Sequence, residues 1–374
     1  MINLDNASTT KPYAEVVNSI ALSLEEDYLN ISAKYSQAKQ IEKKVELIKA
    51  GFLKEINAKD GGIIFCPSAT AANNLVLRSL NLKEAGKILI ADGEHSSVYE
   101  TAKELKNNGA DIDFVPLDKT GHLDLEKFKR SLTPSVRFVS CMLVSNETGA
   151  INNIKEITRL AKQANKNCLV HTDCVQALGK IDLSVSDLGV DYATFSAHKI
   201  YGPKGIGALY AKNINTLRPL IFGGGQEYNL ISGTENFAYI AGFYTALKLT
   251  IHKIKENYNI VSNYRQEFLS ALESEKIDFI LNSPKEKCSP YILNLSFKNV
   301  RGEVLLHALS QKGILVANGS ACSSKKRGNR VLEAMGKNKN EVDWAVRISF
   351  SPYEKYDFKT IAKEFKNVIE EIKY

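Results

Sequence analysis

Two short segments of the chain place reactive side chains directly after apolar runs. Residues 170–176 read VHTDCVQ, and residues 194–205 read TFSAHKIYGPKG. Each segment begins with strand-forming residues and continues into polar ones, which include Asp173 in the first and Lys199 in the second. Because the carboxyl ends of neighbouring parallel strands open at the same edge of a sheet, we expect Asp173 and Lys199 to face one crevice.

An amine and a carboxylate in one crevice suit pyridoxal phosphate. This cofactor needs a lysine amine for its Schiff base, a carboxylate that keeps the pyridine nitrogen protonated, and hydroxyl or backbone donors for its phosphate. Taken alone, a lysine after a strand is more often a solvated surface residue, and an aspartate there is more often a helix cap. The combination of Asp-x-x-Gln with Ser-x-His-Lys and a glycine turn is more specific, and it predicts a pyridoxal phosphate site.

A second stretch with anion-binding character lies between a predicted strand and a predicted helix. Residues 67–70 read PSAT and follow an apolar run at residues 63–65. The free N–H groups and the dipole of a helix N-terminus favour a phosphate there, although these residues also suit an ordinary Ser/Thr N-cap. Neither G-x-x-x-x-G-K-[ST] nor G-x-G-x-x-G occurs, so nucleotide binding is disfavoured.

The elements around these residues alternate between strand and helix patterns. Apolar, strand-forming runs occur at residues 63–65, 87–91, 112–115, 136–144, 168–171, 192–195 and 206–210. Helical stretches with apolar residues three or four apart occur at residues 71–80, 99–107 and 154–165. This alternation predicts an α/β fold with a mostly parallel sheet that helices cover on both faces.

The pattern changes near residue 238, where we expect a second domain to begin. A long helical pattern runs from there to about residue 269. Strand candidates follow at residues 291–297, 314–317 and 346–350, and residues 358–372 have the pattern of an amphipathic helix. The C-terminal third therefore mixes helices and strands.

Composition excludes several classes of protein. The chain has 374 residues, of which 44% are hydrophobic and 24% charged, as expected of a folded chain of two or three domains. Six cysteines without a C-x-x-C pair argue against a zinc site or a disulfide framework. No signal-peptide pattern or membrane-length apolar run occurs, so we expect a cytoplasmic protein. The net charge of +7 is dispersed, which argues against nucleic-acid binding.

In their order and spacing, seven motifs resemble those of the group I cysteine desulfurases, which are class V, fold type I pyridoxal-phosphate enzymes. The motifs are residues 4–10 (LDNASTT), 94–95 (EH), 146–149 (NETG), 196–199 (SAHK), 232–236 (SGTEN), 319–322 (GSAC) and 347–349 (RIS). The resemblance extends from about Leu4 to Phe350, which is nearly the whole chain.

The resemblance implies a fold type I transferase with two domains. The large domain, residues 15–240, would hold a mostly parallel seven-stranded sheet between helices and bind the cofactor. A smaller α+β domain would comprise residues 1–14 and 241–374 and carry Cys322 and Arg347. The family resemblance also implies a homodimer.

The same resemblance implies roles for the candidate site residues, and it implies no metal site. Lys199 would form the Schiff base, Asp173 would face the pyridine nitrogen, and His95 would stack on the ring and carry protons. The other implied roles are Asn146 and Gln176 beside the ring hydroxyl, Ala69, Thr70, Ser196 and His198 at the phosphate, Thr234 reaching the phosphate from the other subunit, and Arg347 with Asn30 at the substrate.

Cys322 separates desulfuration from the other reactions of the class. Basic residues 325–327 favour its thiolate, whereas Cys66, Cys141 and Cys168 lie on or beside apolar runs, as small buried side chains do. The implied reaction converts L-cysteine into L-alanine and leaves a persulfide on Cys322. An acceptor protein would then take the sulfur, and an iron–sulfur scaffold and a tRNA sulfurtransferase are both compatible with the sequence.

The chain departs from the family pattern around the rim of the expected active site. Ala71 stands where the family usually has Glu, Phe222 where it has His, and Ile231 where it has Arg; Tyr35 replaces the His of an Asn-Pro-Ser-x-x-His pattern that begins at Asn30. These changes bear on substrate and partner more than on cofactor binding. The alternatives are a selenocysteine lyase, an aminotransferase, and a degenerate homologue that acts as a scaffold.

Overall fold

The computed structural model describes residues 1–80, 86–319 and 329–372. Within these ranges the strands are β1 Ile2–Asn3, β2 Gly62–Cys66, β3 Lys87–Ala91, β4 Ile112–Val115, β5 Val136–Ser140, β6 Leu169–Asp173, β7 Tyr192–Ser196, β8 Gly207–Ala211, β9 Phe279–Leu281, β10 Ile292–Phe297, β11 Ile314–Leu315 and β12 Ala345–Ser349. The α-helices are α1 Ala14–Glu26, α2 Ser36–Glu55, α3 Ala69–Arg78, α4 Ser96–Asn107, α5 Leu125–Ser131, α6 Ile154–Ala164, α7 Val185–Leu188, α8 Gln226–Asn229, α9 Phe237–Ile251, α10 Ile254–Ser274, α11 Gly302–Gln311, α12 Arg330–Ala334, α13 Lys339–Asp343 and α14 Phe358–Ile372.

Seven strands form one sheet in the order β2-β8-β7-β6-β5-β3-β4. The pairs β3–β4, β3–β5, β5–β6 and β6–β7 are parallel, and β8 is antiparallel to both of its neighbours. The predicted α/β fold with a mostly parallel sheet is therefore confirmed. The parallel order brings the carboxyl ends of β6 and β7 together, where Asp173 and Ser196 are the last residues of their strands.

Alternate residues of the sheet face two separate hydrophobic clusters, as the two-residue period of a strand requires. In β2, Ile63 and Phe65 pack with Phe52 of α2 and Phe243 of α9, whereas Ile64 packs with residues of α3 and α4 on the opposite face. The rings of Phe52 and Phe243 meet edge to face, with centroids 5.2 Å apart. Helices thus bury both faces, which leaves the edge at the strand ends for chemistry.

A second core lies around a three-stranded antiparallel sheet of order β12-β10-β9. Phe268 of α10, Phe297 of β10 and Phe365 of α14 pack there, and Leu4 joins them because β1 pairs in parallel with β11. The amphipathic helix predicted at residues 358–372 is confirmed as α14. The N-terminal segment thus packs with the C-terminal third; the exact division at residues 14/15 and 240/241 stays a prediction.

The long helical pattern after residue 238 is two helices, α9 and α10, with His252 and Lys253 between them. The two helices contribute to different cores: Phe243 of α9 packs under the seven-stranded sheet, and Phe268 of α10 packs against the smaller one. The break between the helices therefore lies where the chain passes from one core to the other. No helix in the described part of the chain is long and apolar enough to cross a membrane.

Gly207 lets strand β8 lie against the start of helix α3. A Cβ atom at this position would be 2.5 Å from the backbone nitrogen of Ala69 and 2.6 Å from the carbonyl carbon of Ser68. Real Cβ atoms do not come so close to backbone atoms, so only glycine fits. The absence of a side chain at Gly207 therefore allows the first turn of α3 to pack directly against strand β8.

We expect Gly207→Ala to lower the free energy of unfolding by about 1–3 kcal/mol, the usual cost of overpacking. Gly62→Ala is the matched control, because Gly62 lies on the paired strand β2 and an added Cβ there would be 2.6 Å from the terminal Cδ1 of Ile214, which can move. Urea unfolding of the two variants measures the difference. Equal losses in both would contradict the role given to Gly207.

Candidate active site

A cavity of about 210 Å³ opens at the carboxyl ends of β6 and β7. Ten of the predicted site residues line it: Ala69, Thr70, His95, Asn146, Asp173, Gln176, Ser196, His198, Lys199 and Arg347. The elements that carry these residues are distant in sequence. Helical connections between parallel strands place the carboxyl ends of the strands at one edge of the sheet, which brings the residues together. The expectation that Asp173 and Lys199 share a crevice is met.

The Lys199 amine faces the N-terminal segment. Lys199 ends the short 3-10 turn Ala197–Lys199 that follows β7. Its Nζ donates hydrogen bonds of 2.6 Å each to the carbonyl oxygens of Ala7 and Ser8. Ala7 and Ser8 also line the cavity, so residues before the first helix form one of its walls.

Asp173 is buried, and both of its carboxylate oxygens accept hydrogen bonds. Oδ1 accepts from the backbone N–H of Val175 at 2.9 Å, and Oδ2 accepts from Asn73 Nδ2 at 2.9 Å. Only 5% of the residue is exposed. A buried carboxylate held in this way is suited to lie opposite a cation such as a protonated pyridine nitrogen.

Asn73 joins Asp173 to His95. Its Nδ2 also donates to Ser97 Oγ at 2.8 Å, and Ser97 Oγ lies 2.8 Å from His95 Nδ1. The Ser97 backbone N–H donates to the same Nδ1, so Nδ1 accepts and Nε2 carries the proton of the neutral ring. Burial lowers the pKa of His95, which favours that neutral ring, while the charge of Asp173 opposes the shift.

Sequence reasoning did not find Asn73. The available signal was a polar residue on an apolar face of a helix, since Ala72, Leu75 and Val76 of α3 are buried beside it. A buried amide in such a place needs a hydrogen-bond partner. That partner, Asp173, is 100 residues away in sequence, and only the fold reveals it.

Beneath the cavity lies a buried network of Glu94, Ser140, His171 and Thr194. Ser140 Oγ donates to Glu94 Oε1 at 2.8 Å and lies 2.9 Å from His171 Nδ1, and His171 Nε2 lies 3.1 Å from Thr194 Oγ1. Burial, followed by the charge of Asp173, raises the pKa of Glu94 to about 8. Burial lowers the pKa of His171 to about 4.

The start of helix α3 forms one end of the cavity. Ser68 caps the helix by accepting from the Ala71 N–H at 3.1 Å, and Ala69 and Thr70 follow in the first turn. His198 lies nearby, and burial and then the charge of Lys199 lower its pKa to about 4. A helix N-terminus lined by hydroxyl groups suits a phosphate.

Arg347 of β12 forms the opposite wall and is almost fully buried. Its Nη1 donates to the carbonyl oxygen of Asn146 at 2.9 Å, and its Nη2 donates to Asp5 Oδ1 at 3.0 Å and to Ser8 Oγ at 2.7 Å. Nη1 also lies 3.5 Å from Glu147 Oε1. These contacts fix the guanidinium at the cavity wall.

Two buried polar atoms at the cavity have no hydrogen-bond partner in the described structure: Asn146 Oδ1 and Arg347 Nε. Buried polar groups normally find partners, so these atoms indicate a ligand that completes the site. Together with the Lys199 amine, the Asp173 carboxylate and the N-terminus of α3, they match the functional groups of pyridoxal phosphate and an amino-acid substrate. The residues therefore fit the predicted cofactor.

Among the described residues, two predicted site residues do not line this cavity. Thr234 lines a separate cavity of about 220 Å³, together with Cys66 and Glu227. Asn30 is exposed and accepts from the Ser32 N–H at 2.9 Å. Cys322 lies outside the described residues. The roles of all three stay predictions.

Positions that depart from the family pattern lie in different environments. Phe222 and Tyr35 are exposed, Ile231 is buried, and Ala71 is partly buried in the first turn of α3. Ile231 packs in the cluster on the α3 side of the sheet. An apolar side chain thus fills a core position where the family usually has Arg.

The described cysteines have little thiolate character. Cys66, Cys141, Cys168 and Cys174 are buried, Cys288 is partly buried, and all five are free thiols. Burial raises the pKa of each of them, to about 12 in Cys168. No group of three or more His, Cys, Asp or Glu side chains among the described residues could hold a metal ion.

Comparison with known proteins gives a consistent result. The family model "Aminotransferase class-V" matches residues 2–357. The chain is 34% identical over 354 residues to "Cysteine desulfurase IscS" of Clostridium botulinum (93% of this chain and 89% of that protein). It is 32% identical over 377 residues to "Putative cysteine desulfurase IscS 1" of Bacillus subtilis (99% of each chain). The solved structure of a "NifS-like protein" matches with a TM-score of 0.91, 32% identity and coverage of 99% of this chain and 98% of that one.

The raised pKa of Glu94 predicts a stability that depends on pH. Between its ordinary pKa of 4.5 and about 8, the folded chain keeps the Glu94 proton and the unfolded chain has lost it. This group's contribution to the free energy of unfolding therefore falls as pH rises, by about 1.4 kcal/mol per pH unit. Glu94→Gln removes the ionisation, so the stability of this variant relative to the wild type should rise across that window.

Urea unfolding at several pH values and one protein concentration measures this difference. Glu15→Gln is the control, because Glu15 is exposed on α1 and should leave the pH dependence unchanged. A constant difference between Glu94→Gln and the wild type from about pH 5 to about pH 8 would contradict the buried, protonated Glu94.

Proposed function

The chain belongs to the class-V aminotransferase family, and from that premise we propose that it is a pyridoxal-phosphate-dependent cysteine desulfurase. It converts L-cysteine into L-alanine and carries the sulfur as a persulfide for transfer. The observation that carries this proposal is the single cavity lined by Lys199, Asp173, His95 and Arg347. An amine, a carboxylate, an imidazole and a guanidinium in that arrangement are suited to hold the cofactor and an α-amino acid together.

Pyridoxal phosphate, when bound, supplies an electron sink for the charge that develops at the α-carbon of the amino acid. We assign the Schiff-base amine to Lys199, the partner of the pyridine nitrogen to Asp173 and the stacking ring to His95. The remaining assignments are Asn146 and Gln176 at the ring hydroxyl, and Ala69, Thr70, Ser196 and His198 at the phosphate. The hydrogen bonds and the unpaired Asn146 Oδ1 described above support them.

Lys199 and His95 handle protons in this proposal. The Lys199 Nζ is held at the cavity wall by two carbonyl oxygens, where it can take or return a proton at the substrate α-carbon. His95 is held through Nδ1, so Nε2 is the atom that exchanges a proton. Its lowered pKa favours the neutral ring, in which Nε2 carries the proton that is exchanged.

Arg347 binds the substrate α-carboxylate. Its Nη1 and Nη2 groups already donate to protein acceptors, whereas its Nε has no partner in the described structure, so Nε donates a charge-assisted hydrogen bond to the carboxylate. Asp5 and Glu147 hold the guanidinium from behind. The substrate is thereby oriented by its two ends, the carboxylate at Arg347 and the amino group at the cofactor.

Cys322 is the proposed nucleophile. Its sulfur bonds to the substrate sulfur as the substrate C–S bond breaks, and the carbon gains a proton, so that L-cysteine and the Cys322 thiol become L-alanine and a Cys322 persulfide. The motif at residues 319–322 and the basic residues 325–327 support this assignment. The raised pKa of every described cysteine supports it further, because a buried thiol attacks poorly.

We also propose that the protein acts as a homodimer in which the partner subunit's Thr234 reaches the cofactor phosphate. Thr234 lines a cavity separate from that of Lys199 within one chain, as a residue that serves the other subunit would. Exposed apolar side chains on α1 and α2, such as Leu24 and Leu47, offer a surface for association. An iron–sulfur scaffold or a tRNA sulfurtransferase would take the sulfur, and a reducing cytoplasm suits the free thiols.

L-cysteine turnover with wild type, Cys322→Ala and Lys199→Ala tests the proposal. We expect the wild type to be yellow and to release alanine and, with a thiol reductant, sulfide. Cys322→Ala should keep the cofactor absorbance and lose turnover, because the site is intact and the nucleophile absent. Lys199→Ala should lose the absorbance of the Schiff base.

Other results would contradict it in distinguishable ways. Alanine release from selenocysteine alone would make the protein a selenocysteine lyase, and a requirement for an amino-group acceptor would make it an aminotransferase. A colourless wild type without turnover after loading with pyridoxal phosphate would leave only a scaffold. Cys174→Ala is the control, since this buried thiol should be dispensable.

Arg347→Lys should raise the KM for L-cysteine roughly tenfold to a hundredfold, the effect of losing one hydrogen bond to a charged group. The guanidinium contacts Asp5 and Ser8 through Nη2 and can contact the substrate through another nitrogen. A lysine has a single amine nitrogen, which cannot reach all of these partners at once. Steady-state kinetics and the absorption spectrum measure the effect. The control Arg159→Lys alters an exposed residue and should leave KM unchanged; an unchanged KM in Arg347→Lys would contradict the assignment.

A further inference from the structure

Lys180 is a buried lysine that lies behind the cavity and outside the machinery described above. Only 6% of Lys180 is exposed, and no carboxylate in the described structure forms an ion pair with it. Its Nζ donates to Gln176 Oε1 at 2.6 Å and lies 5.8 Å from the centre of the Tyr291 ring. This strong hydrogen bond to Gln176 is its main polar contact.

Stability alone does not explain a lysine in this place. Burial, followed by the charges of Lys199 and Arg347, lowers the pKa of Lys180 to about 7, so its environment disfavours the ammonium. The cavity beside it is about 10 Å³, too small for an anion. An apolar side chain of similar length would pack there at lower cost, because a buried amine without a counter-ion is unfavourable.

The contact with Gln176 determines which way its amide faces. The oxygen of the amide accepts from Lys180, and Nε2 donates to the Ala7 carbonyl oxygen at 3.0 Å. A flipped amide would set its oxygen against the Ala7 carbonyl and its NH₂ group against a donor. The same Ala7 oxygen accepts from Lys199 Nζ at 2.6 Å, so the amide is held beside the Schiff-base amine.

We propose that Lys180 is a positioning residue that fixes the Gln176 amide with its NH₂ group toward the cofactor cavity, where it donates to the ring hydroxyl oxygen of pyridoxal phosphate. The inference rests on the proposed function, because it needs the cofactor in the cavity that Gln176 lines. Lys180 itself does not line this cavity. It acts through Gln176.

A double-mutant cycle on the holoenzyme tests the inference. The variants are Lys180→Met, Gln176→Leu and the double variant, each measured for the dissociation constant of pyridoxal phosphate and for the visible absorption band. We expect Lys180→Met to weaken cofactor binding roughly threefold to tenfold, the effect of one hydrogen bond, and to shift the band. In the Gln176→Leu background, Lys180→Met should have no further effect, because its route to the cofactor is gone.

The control is Lys162→Met, which removes a partly buried lysine of α6 that pairs with Asp191. It should change neither the dissociation constant nor the band. Thermal unfolding without the cofactor should show Lys180→Met at least as stable as the wild type, since the buried amine is gone. If Lys180→Met fails to fold, Lys180→Gln replaces it: its amide NH₂ group can donate to Gln176, and wild-type affinity is expected.

Three results would overturn the inference. One is equal effects of Lys180→Met in the wild-type and Gln176→Leu backgrounds, which would show that Lys180 acts by another route. The others are an unchanged affinity and band in Lys180→Met, and an affinity of Lys180→Gln as low as that of Gln176→Leu. A wild type that binds no pyridoxal phosphate would instead refute the proposed function itself.

Discussion

The hydrogen bonds from the Lys199 amine to the carbonyl oxygens of Ala7 and Ser8 join the N-terminal segment to the end of strand β7 at the candidate active site. The same segment accepts from Gln176 at the Ala7 carbonyl and from Arg347 at the Ser8 hydroxyl. These partners come from the large sheet and from β12, which belong to different hydrophobic cores. Two neighbouring residues thus set the spacing between the amine and the guanidinium, and the shape of the cavity depends on them.

Most of the large sheet could be predicted from the sequence, because its strands are short apolar runs, and each of the seven predicted runs overlaps a strand. The run at residues 136–144 shows the limit of this reasoning. The strand ends at Ser140, and Met142 and Val144 line the cavity instead. Apolar composition marks burial, but it does not distinguish a strand from a cavity wall. The antiparallel direction of β8 was also not predictable, because the pattern of apolar residues does not reveal how the chain connects β7 to β8.

The chemistry of the site was predictable where it lies in short motifs. Lys199 and Asp173 follow strands, and the order of parallel strands brings such residues to one edge. The residues that hold them were not predictable, because their contacts cross the fold. Asn73 reaches a carboxylate 100 residues away, and Glu147 reaches Arg347, 200 positions further on. Thr234 lies at a separate cavity, which its position in a motif did not reveal.

The end of the segment that carries Cys322 is tied to the active site from two sides. Asn329, the first described residue after it, donates to Glu147 Oε2 at 2.8 Å, and Glu147 also approaches Arg347. The next residue, Arg330, donates to the carbonyl oxygens of Asp92 and Glu94, just before His95. Asn329 is seven positions after Cys322, and an extended chain of seven residues spans at most about 25 Å. In the proposed function the Cys322 thiol has to reach the substrate sulfur, and the contacts of Asn329 and Arg330 fix one end of its tether beside the residues that line the cavity.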